Sequence, residues 1–377
     1  MNFTKVRDYM DSLIASGLPC CDMAVYRDHE CIYRYMTGWE DENKKTKLEG
    51  NETYNLYSCS KVFTTCAAMQ LIEHGKISLD DPVYRYLPAY GNMKVRDGNG
   101  ARPAERTMLI RHLMSMQSGL NYDRTAPEIE EILKQTAGMA STRQIVDAKA
   151  ADPLEFEPGT NWLYGLSHDV LAAVIEVASG MRFSEYLDLN IFKPLALDTI
   201  GFVVKKENEN RQCAQYEYNS LTGNFDPVPR FELNYRYSSN YESGGAGLVS
   251  DVRDCIVFAD AMACGGESKQ GEKILSPQMI QLWNTNQLGP ESRRSFDAWN
   301  RKGYSYALGV RTRVDKQMGG RGSVGEFGWD GAACSYMLID PHMHLSVFFA
   351  THVKGYGYAY DVIHPTLRNL VYEVLEE

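Results

Sequence analysis

Strand-like patterning gathers at the two ends of this chain, while residues from about 90 to 290 read mostly as helices with long loops. Near the start, Met23–Arg27 and Cys31–Met36 read as strands joined by the polar turn Asp28-His29-Glu30, a hairpin. Near the end, Tyr304–Val314, Cys334–Ile339 and Leu345–Ala350 alternate, the last two joined by Asp340-Pro341-His342-Met343, good chemistry for an antiparallel turn. Each end also carries a helix. Phe3, Val6, Met10 and Leu13 share one face at the start, and Pro365 opens a last helix with Leu367, Leu370, Val371, Val374 and Leu375. The economical arrangement is α+β: one antiparallel sheet built from both termini and flanked by the terminal helices, with a mostly helical subdomain inserted. A chain of 377 residues is long enough for this as a single domain. Its sheet and flanking helices come from residues 1–60 and 300–377, and the insertion is 61–299.

Other classes are excluded. A net charge of −10 without basic runs argues against nucleic-acid or anionic-membrane partners. No 18-residue apolar run offers a membrane span, and charges interrupt the first helix too often for a signal peptide. Nine scattered cysteines, an odd number, fit reduced thiols and a cytoplasmic home. Cys-x-x-Cys and His-Glu-x-x-His spacings are missing, and His342 and His344 flank a turn, so neither metal nor cofactor is expected.

The stretch Tyr54–Lys76 carries the chemistry. Val62, Phe63, Cys66, Ala67, Leu71 and Ile72 fall on one side of a helix that Gly75 terminates, and the hydroxyls of Ser58 and Ser60 suit its cap and first turn. Ser58 is thereby placed at the mouth of a mostly buried helix, with Lys61 on the same face. Two readings stand. Either Ser58 is a nucleophile beside its base, or Ser58 caps the helix and Lys61 is solvated. A working Ser–Lys pair also needs a proton relay and an oxyanion hole. Tyr164, between the tight turn at Pro158-Gly159 and the apolar helix Val170–Ala178, is the candidate relay; otherwise it is one packing tyrosine among 24. The small residues of Gly325–Ala333 let backbone N–H groups approach a ligand, unless Asp330-Gly331 is merely a hairpin turn. Gly320–Gly325 fits Gly-x-Gly-x-x-Gly but precedes a strand, which excludes dinucleotide binding, and Gly-x-Ser-x-Gly is absent.

Taken in order, these segments resemble the serine β-lactamase and penicillin-binding-protein superfamily, class C-like and closest to its family VIII carboxylesterase-like branch. Tyr57–Lys61, Ile77–Val83, Ile110–Leu120, Pro158–Tyr164, Ser243–Leu248, Tyr306–Val310 and Trp329–Ala332 carry the likeness across most of the chain. The resemblance implies a β-lactamase/transpeptidase-like fold and an acyl-enzyme on Ser58. It further implies a neutral Lys61 amine sharing the proton with Tyr164, and an oxyanion held by the N–H groups of Ser58 and Ala332. The sequence departs from the family twice. Tyr164-Gly165-Leu166 puts Leu166 where an asparagine usually binds substrate. Trp329-Asp330-Gly331 replaces the Lys-Thr/Ser-Gly box, so an acidic residue is expected to penalise anionic substrates.

The expected function is a serine hydrolase acting on a small, uncharged ester, or an amide or lactone. Ser58, Lys61 and Tyr164 would be catalytic, and Trp329, Asp330, Gly331 and Leu166 would line the substrate site. The rivals are β-lactamase or D-amino-acid peptidase activity, and a catalytically silent binding module. The expected partner is a small acyl substrate. Specificity is assigned to the loops 205–241 and 284–303; oligomeric state is unknown from sequence.

Overall fold

The alternating segments at the two chain ends meet in one seven-stranded antiparallel sheet. A computed structural model describes residues 1–98, 100–230 and 235–376, so residues 231–234 of the 205–241 segment lie outside the described residues. The strands are β1 (Cys20–Arg27), β2 (Glu30–Gly38), β3 (Tyr304–Tyr306), β4 (Arg311–Arg313), β5 (Phe327–Asp330), β6 (Tyr336–Asp340) and β7 (Leu345–Ala350), in the spatial order β2-β1-β7-β6-β5-β4-β3. The N-terminal hairpin therefore zips onto the last long strand, with Met23 opposite Phe349 and Val25 opposite Val347. Asp28 and His29 close that hairpin at φ of 51° and 65°, the left-handed pair that a tight two-residue turn requires.

Period-two alternation gives the sheet two buried faces. Met23, Val25, Leu338, Val347 and Phe349 meet Val6 and Met10 of the helix Thr4–Ala15 and Leu367 and Val371 of the helix His364–Glu376. Their sequence neighbours Ala24, Met337, Ile339 and Phe348 belong to the second core, with Ile256 and Phe258 of the helix Val252–Ala263. Phe258 stacks on Phe63 with ring centroids 4.0 Å apart, which ties the sheet to the helix Ser60–Glu73.

That helix is buried from Ser60 to Leu71, on every side rather than along the apolar stripe alone. It begins at Ser60, with Cys59 rather than Ser58 in the cap position: Tyr54 lies in the short strand Thr53–Asn55, paired with Val249–Asp251, and a single tight turn, Tyr57–Cys59, leads into Ser60. Ser58 makes no capping bond. Tyr304–Val314 is two strands, because the chain reverses at Gly309 (φ 74°), where a Cβ would lie 2.1 Å from Thr65 Oγ1. Pro365 sits in the first turn of the last helix instead of opening it, since a wide turn over Ala359–Ile363 already runs into His364. The Tyr-rich 215–241 segment supplies a hairpin, Gln215–Asn219 with Asn224–Val228. No described helix is long and apolar enough to cross a membrane.

Phe348 is fully buried on the central strand of the second core. Phe348→Ala is expected to lower unfolding free energy by about 3–5 kcal/mol, read from urea midpoints; a loss under about 1 kcal/mol would contradict this packing.

Candidate active site

Burial of the helix Ser60–Glu73 brings Lys61 inside with it, and the side chain is fully enclosed. Its Nζ lies 3.2 Å from Ser58 Oγ, one turn earlier, and 3.2 Å from the Tyr122 hydroxyl, and donates to the Gly245 carbonyl at 2.7 Å. The Ser243–Leu248 loop is held there by the same helix: Thr64 donates to the Gly244 carbonyl at 2.6 Å, and Ser60 Oγ accepts from the Leu248 N–H at 3.0 Å. Close approach needs glycine here, since a Cβ on Gly245 would sit 2.6 Å from Asp169 Oδ2 and 3.4 Å from Lys61 Nζ. Desolvation lowers the Lys61 pKa to about 7, against an opposing pull from the Asp169 carboxylate. The Asp169 Oδ1 atom accepts from Tyr241 and Ser243, each at 2.6 Å, which fixes that carboxylate behind the loop.

Tyr164 reaches the pair from the other side. The segment leading to it runs along Met116–Asn121: Gly159 N–H donates to Gln117, Leu163 N–H to Met116 and Leu166 N–H to Asn121. Gly165 permits this, since a Cβ would lie 2.0 Å from the Leu120 carbonyl. The Tyr164 ring centroid is 4.6 Å from Lys61 Nζ, its hydroxyl hydrogen-bonds with Ser58, and it accepts from the Trp329 indole N–H at 2.7 Å. Burial pushes the phenol pKa far above its ordinary value.

Strand β5 carries Trp329 to this point by passing very near the Ser58 turn. A Cβ on Gly331 would lie 2.3 Å from the Leu56 carbonyl, the Cys59 thiol donates to the Trp329 carbonyl, and the Ser335 hydroxyl donates to Leu56. Neither the Ser58 nor the Ala332 N–H is used in the described backbone hydrogen bonds of these turns.

Ser58, Lys61, Tyr164 and Trp329 are thus brought together, with Gly331 and Ala332 alongside. Asp330 is not: it leaves the strand on the opposite side, where its carboxylate is 2.9 Å from the His364 ring, 3.4 Å from Arg311 and 3.8 Å from Arg301. Burial alone would raise its pKa, but the Arg311 guanidinium, the His364 hydrogen bond and Arg301 together hold it well below the usual carboxylate range. The expected repulsion of anionic substrates by Asp330 is therefore neutralised at source. Leu166 is buried at the N-cap of the helix Ser167–Ser179.

Sequence reasoning missed Tyr122 and Trp299. Tyr122 follows Ser118-Gly119-Leu120 in a loop without periodic signal; its ring lies 5.6 Å from that of Tyr164. Trp299, 41% exposed, stands 5.0 Å from the Tyr164 ring and 6.3 Å from Trp329. Away from this site, His29, Asp260 and Cys264 are the one set among the described residues whose metal-type ligand atoms gather within 4.8 Å. His29 Nδ1 and Asp260 Oδ2 are already joined there by a 2.8 Å hydrogen bond.

The chain matches the family model described as Beta-lactamase over residues 4–366. Protein Rv1367c of Mycobacterium tuberculosis (strain ATCC 25618 / H37Rv) is 25% identical, over 92% of this chain and 88% of its own. Esterase EstB of Burkholderia gladioli is 26% identical, over 88% and 86%. Among solved structures, EstCE1, described as a hydrolase with promiscuous acyltransferase activity, superposes at a TM-score of 0.80 with 24% identity, covering 98% of both chains.

The buried lysine also predicts how stability follows pH. Its folded pKa of about 7 lies below the unfolded value, about 10.4. Below pH 7 both states carry the proton and the folded state bears the full desolvation cost. Between these values the unfolded state binds more protons, so stability rises with pH. The stability of the native protein relative to Lys61→Met should therefore increase from pH 7 to 10 in urea unfolding. A gap that stays flat or narrows would refute the depressed pKa.

Proposed function

The chain belongs to the beta-lactamase family, and from that premise we propose that it is a serine esterase in which Ser58 forms the acyl-enzyme, Lys61 is the base and Tyr164 the proton relay. One observation carries the reading. A neutral amine has two N–H donors and one lone pair; the Gly245 carbonyl and the Tyr122 hydroxyl take the donors, which leaves the lone pair for the Ser58 O–H at 3.2 Å. Ser58 Oγ attacks the ester carbonyl carbon as its proton passes to Lys61 Nζ. The N–H groups of Ser58 and Ala332 receive the oxyanion. Tyr164, kept neutral by its raised pKa, relays the proton to the departing alkoxide. Water, or an alcohol acceptor as the acyltransferase activity described for EstCE1 would suggest, then attacks the acyl carbon by the same route in reverse.

The substrate is a small ester with an apolar acyl group. Tyr122, Tyr164, Trp299 and Trp329 supply an aromatic wall, and no lysine stands on β5 to draw in a carboxylate. That combination disfavours β-lactams and D-peptides, while the intact Ser–Lys–Tyr set disfavours a silent binding module. A cytoplasmic home is part of the proposal, supported by nine scattered cysteines without a paired spacing.

Turnover of a p-nitrophenyl ester should exceed that of a chromogenic cephalosporin, and Ser58→Ala should lower kcat by about 10³-fold or more and abolish labelling by a fluorophosphonate. Faster cephalosporin turnover, or labelling that survives Ser58→Ala, would sink the proposal. Because the amine must be unprotonated, kcat/KM should climb as pH passes about 7 and then level off. A profile flat from pH 5 to 9 would exclude Lys61 as the base.

A further inference from the structure

Trp329 faces Tyr164, and the next residue, Asp330, points away from it into a cavity of about 360 Å³ between β4, β5 and the start of the helix His364–Glu376. Four cationic side chains, Arg301, Lys302, Arg311 and Arg368, line this cavity against two carboxylates, Asp330 and Asp361. That is a local reversal of sign in a chain of net charge −10. Glu326 lies nearby but outside the lining, a buried carboxyl whose pKa desolvation raises against the pull of Arg368 and Arg311. Arg368 is 5% exposed; it donates to the Tyr304 hydroxyl at 2.6 Å and to the Gly319 carbonyl, yet its Nε–H has no acceptor among the described residues. Negative charge in the cavity that Arg368 lines would offset this guanidinium through space, without a bond to Nε itself. Lys302, exposed at the rim, and Arg301, whose Nη1 donates to the Tyr360 carbonyl at 2.9 Å, complete a cationic entrance.

We infer that this cavity, on the opposite face of β5 from Ser58, is a second ligand site for a small organic anion bearing a phosphate or carboxylate group. Its volume suits a small metabolite, and its guanidinium groups suit the oxygens of either anion.

The site is also wired to the chemistry. Tyr360 lines the cavity and donates to the Gly331 carbonyl at 3.0 Å. That carbonyl belongs to the same peptide plane as the Ala332 N–H, the proposed oxyanion donor. An anion that recruits Tyr360, or draws Arg301 and Arg311 from Asp330, alters how that plane is held. This coupling rests on the esterase reading; the binding does not.

Calorimetric titration of the full-length protein with inorganic phosphate and, separately, with citrate, at ionic strength matched by sodium chloride, tests the site. Saturable 1:1 binding of either anion is expected, weakened about tenfold or more in the double variant Arg301→Gln, Lys302→Gln, since each substitution removes a charged donor from the entrance. Phosphate alone identifies a phosphate ester as the ligand class, and citrate alone a carboxylate. If the double variant fails to fold, Lys302→Gln, at an exposed position, should still weaken binding several-fold. No saturable binding of either anion, or an affinity that these substitutions leave unchanged, would overturn the site. The same titration followed by p-nitrophenyl ester turnover reads the coupling: a saturating change in kcat supports it, and binding without any such change overturns it. Binding in a protein that cleaves no ester keeps the site and removes the proposed function, so the two failures are distinct.

Discussion

Everything at this site depends on an amine being held out of water. An ammonium ion loses several kcal/mol of solvation when enclosed, and a protein that encloses one must pair it or let it shed its proton. Here no carboxylate among the described residues bonds the Lys61 amine directly: Asp169 is turned onto Tyr241 and Ser243, and the described groups that touch Nζ are a carbonyl and hydroxyls. Neutralisation is the cheaper outcome. The fold brings it about by burying the helix Ser60–Glu73 on every side, with β5, the Ser243–Leu248 loop and the Tyr164 segment as its walls. The cost of this arrangement is carried by apolar packing elsewhere, in the two cores on either side of the sheet.

Much of the scaffold was legible because strands and helices of ordinary amphipathic kind advertise themselves. The N-terminal hairpin, the last hairpin and the terminal helices each show one buried face and one exposed or differently buried face, and periodicity reads such faces directly. The helix Ser60–Glu73 is harder, since a helix buried all round has polar residues inside for reasons of chemistry: Lys61, Thr64 and Thr65 look solvent-facing by pattern and are enclosed. The break at Gly309 was invisible for a related reason. Tyr304–Val314 keeps its alternation through the turn, and only contact with Thr65 shows why the chain must reverse there.

Side-chain direction at a strand end is the other thing a sequence withholds. Trp329 and Asp330 are adjacent in one motif, and reading the motif as a unit assigned both to the substrate. In the sheet they diverge by the strand's own period of two, so Trp329 joins Tyr164 while Asp330 anchors Arg311, Arg301 and His364 behind the strand. Tyr122 went unread for the opposite reason: it lies in irregular chain, where pairing between Met116–Asn121 and the Tyr164 segment, set by backbone hydrogen bonds and the glycine at 165, decides what lies near the lysine.

A neutral base carries a consequence for what the cleft can accept. Above about pH 7, where Lys61 sheds its proton, and with Tyr164 neutral and Asp330 turned away onto Arg311, the described groups beside Ser58 present dipoles and aromatic faces. Binding energy must then come from apolar contact and from backbone N–H groups aimed at the oxyanion, which reward charge only where it develops during the reaction. An anionic substrate gains nothing in such a site and would also be repelled by the chain's overall negative charge. On the proposed reading, Trp299, 41% exposed and 5.0 Å from the Tyr164 ring, offers an apolar edge to whichever acceptor, water or alcohol, takes the acyl group.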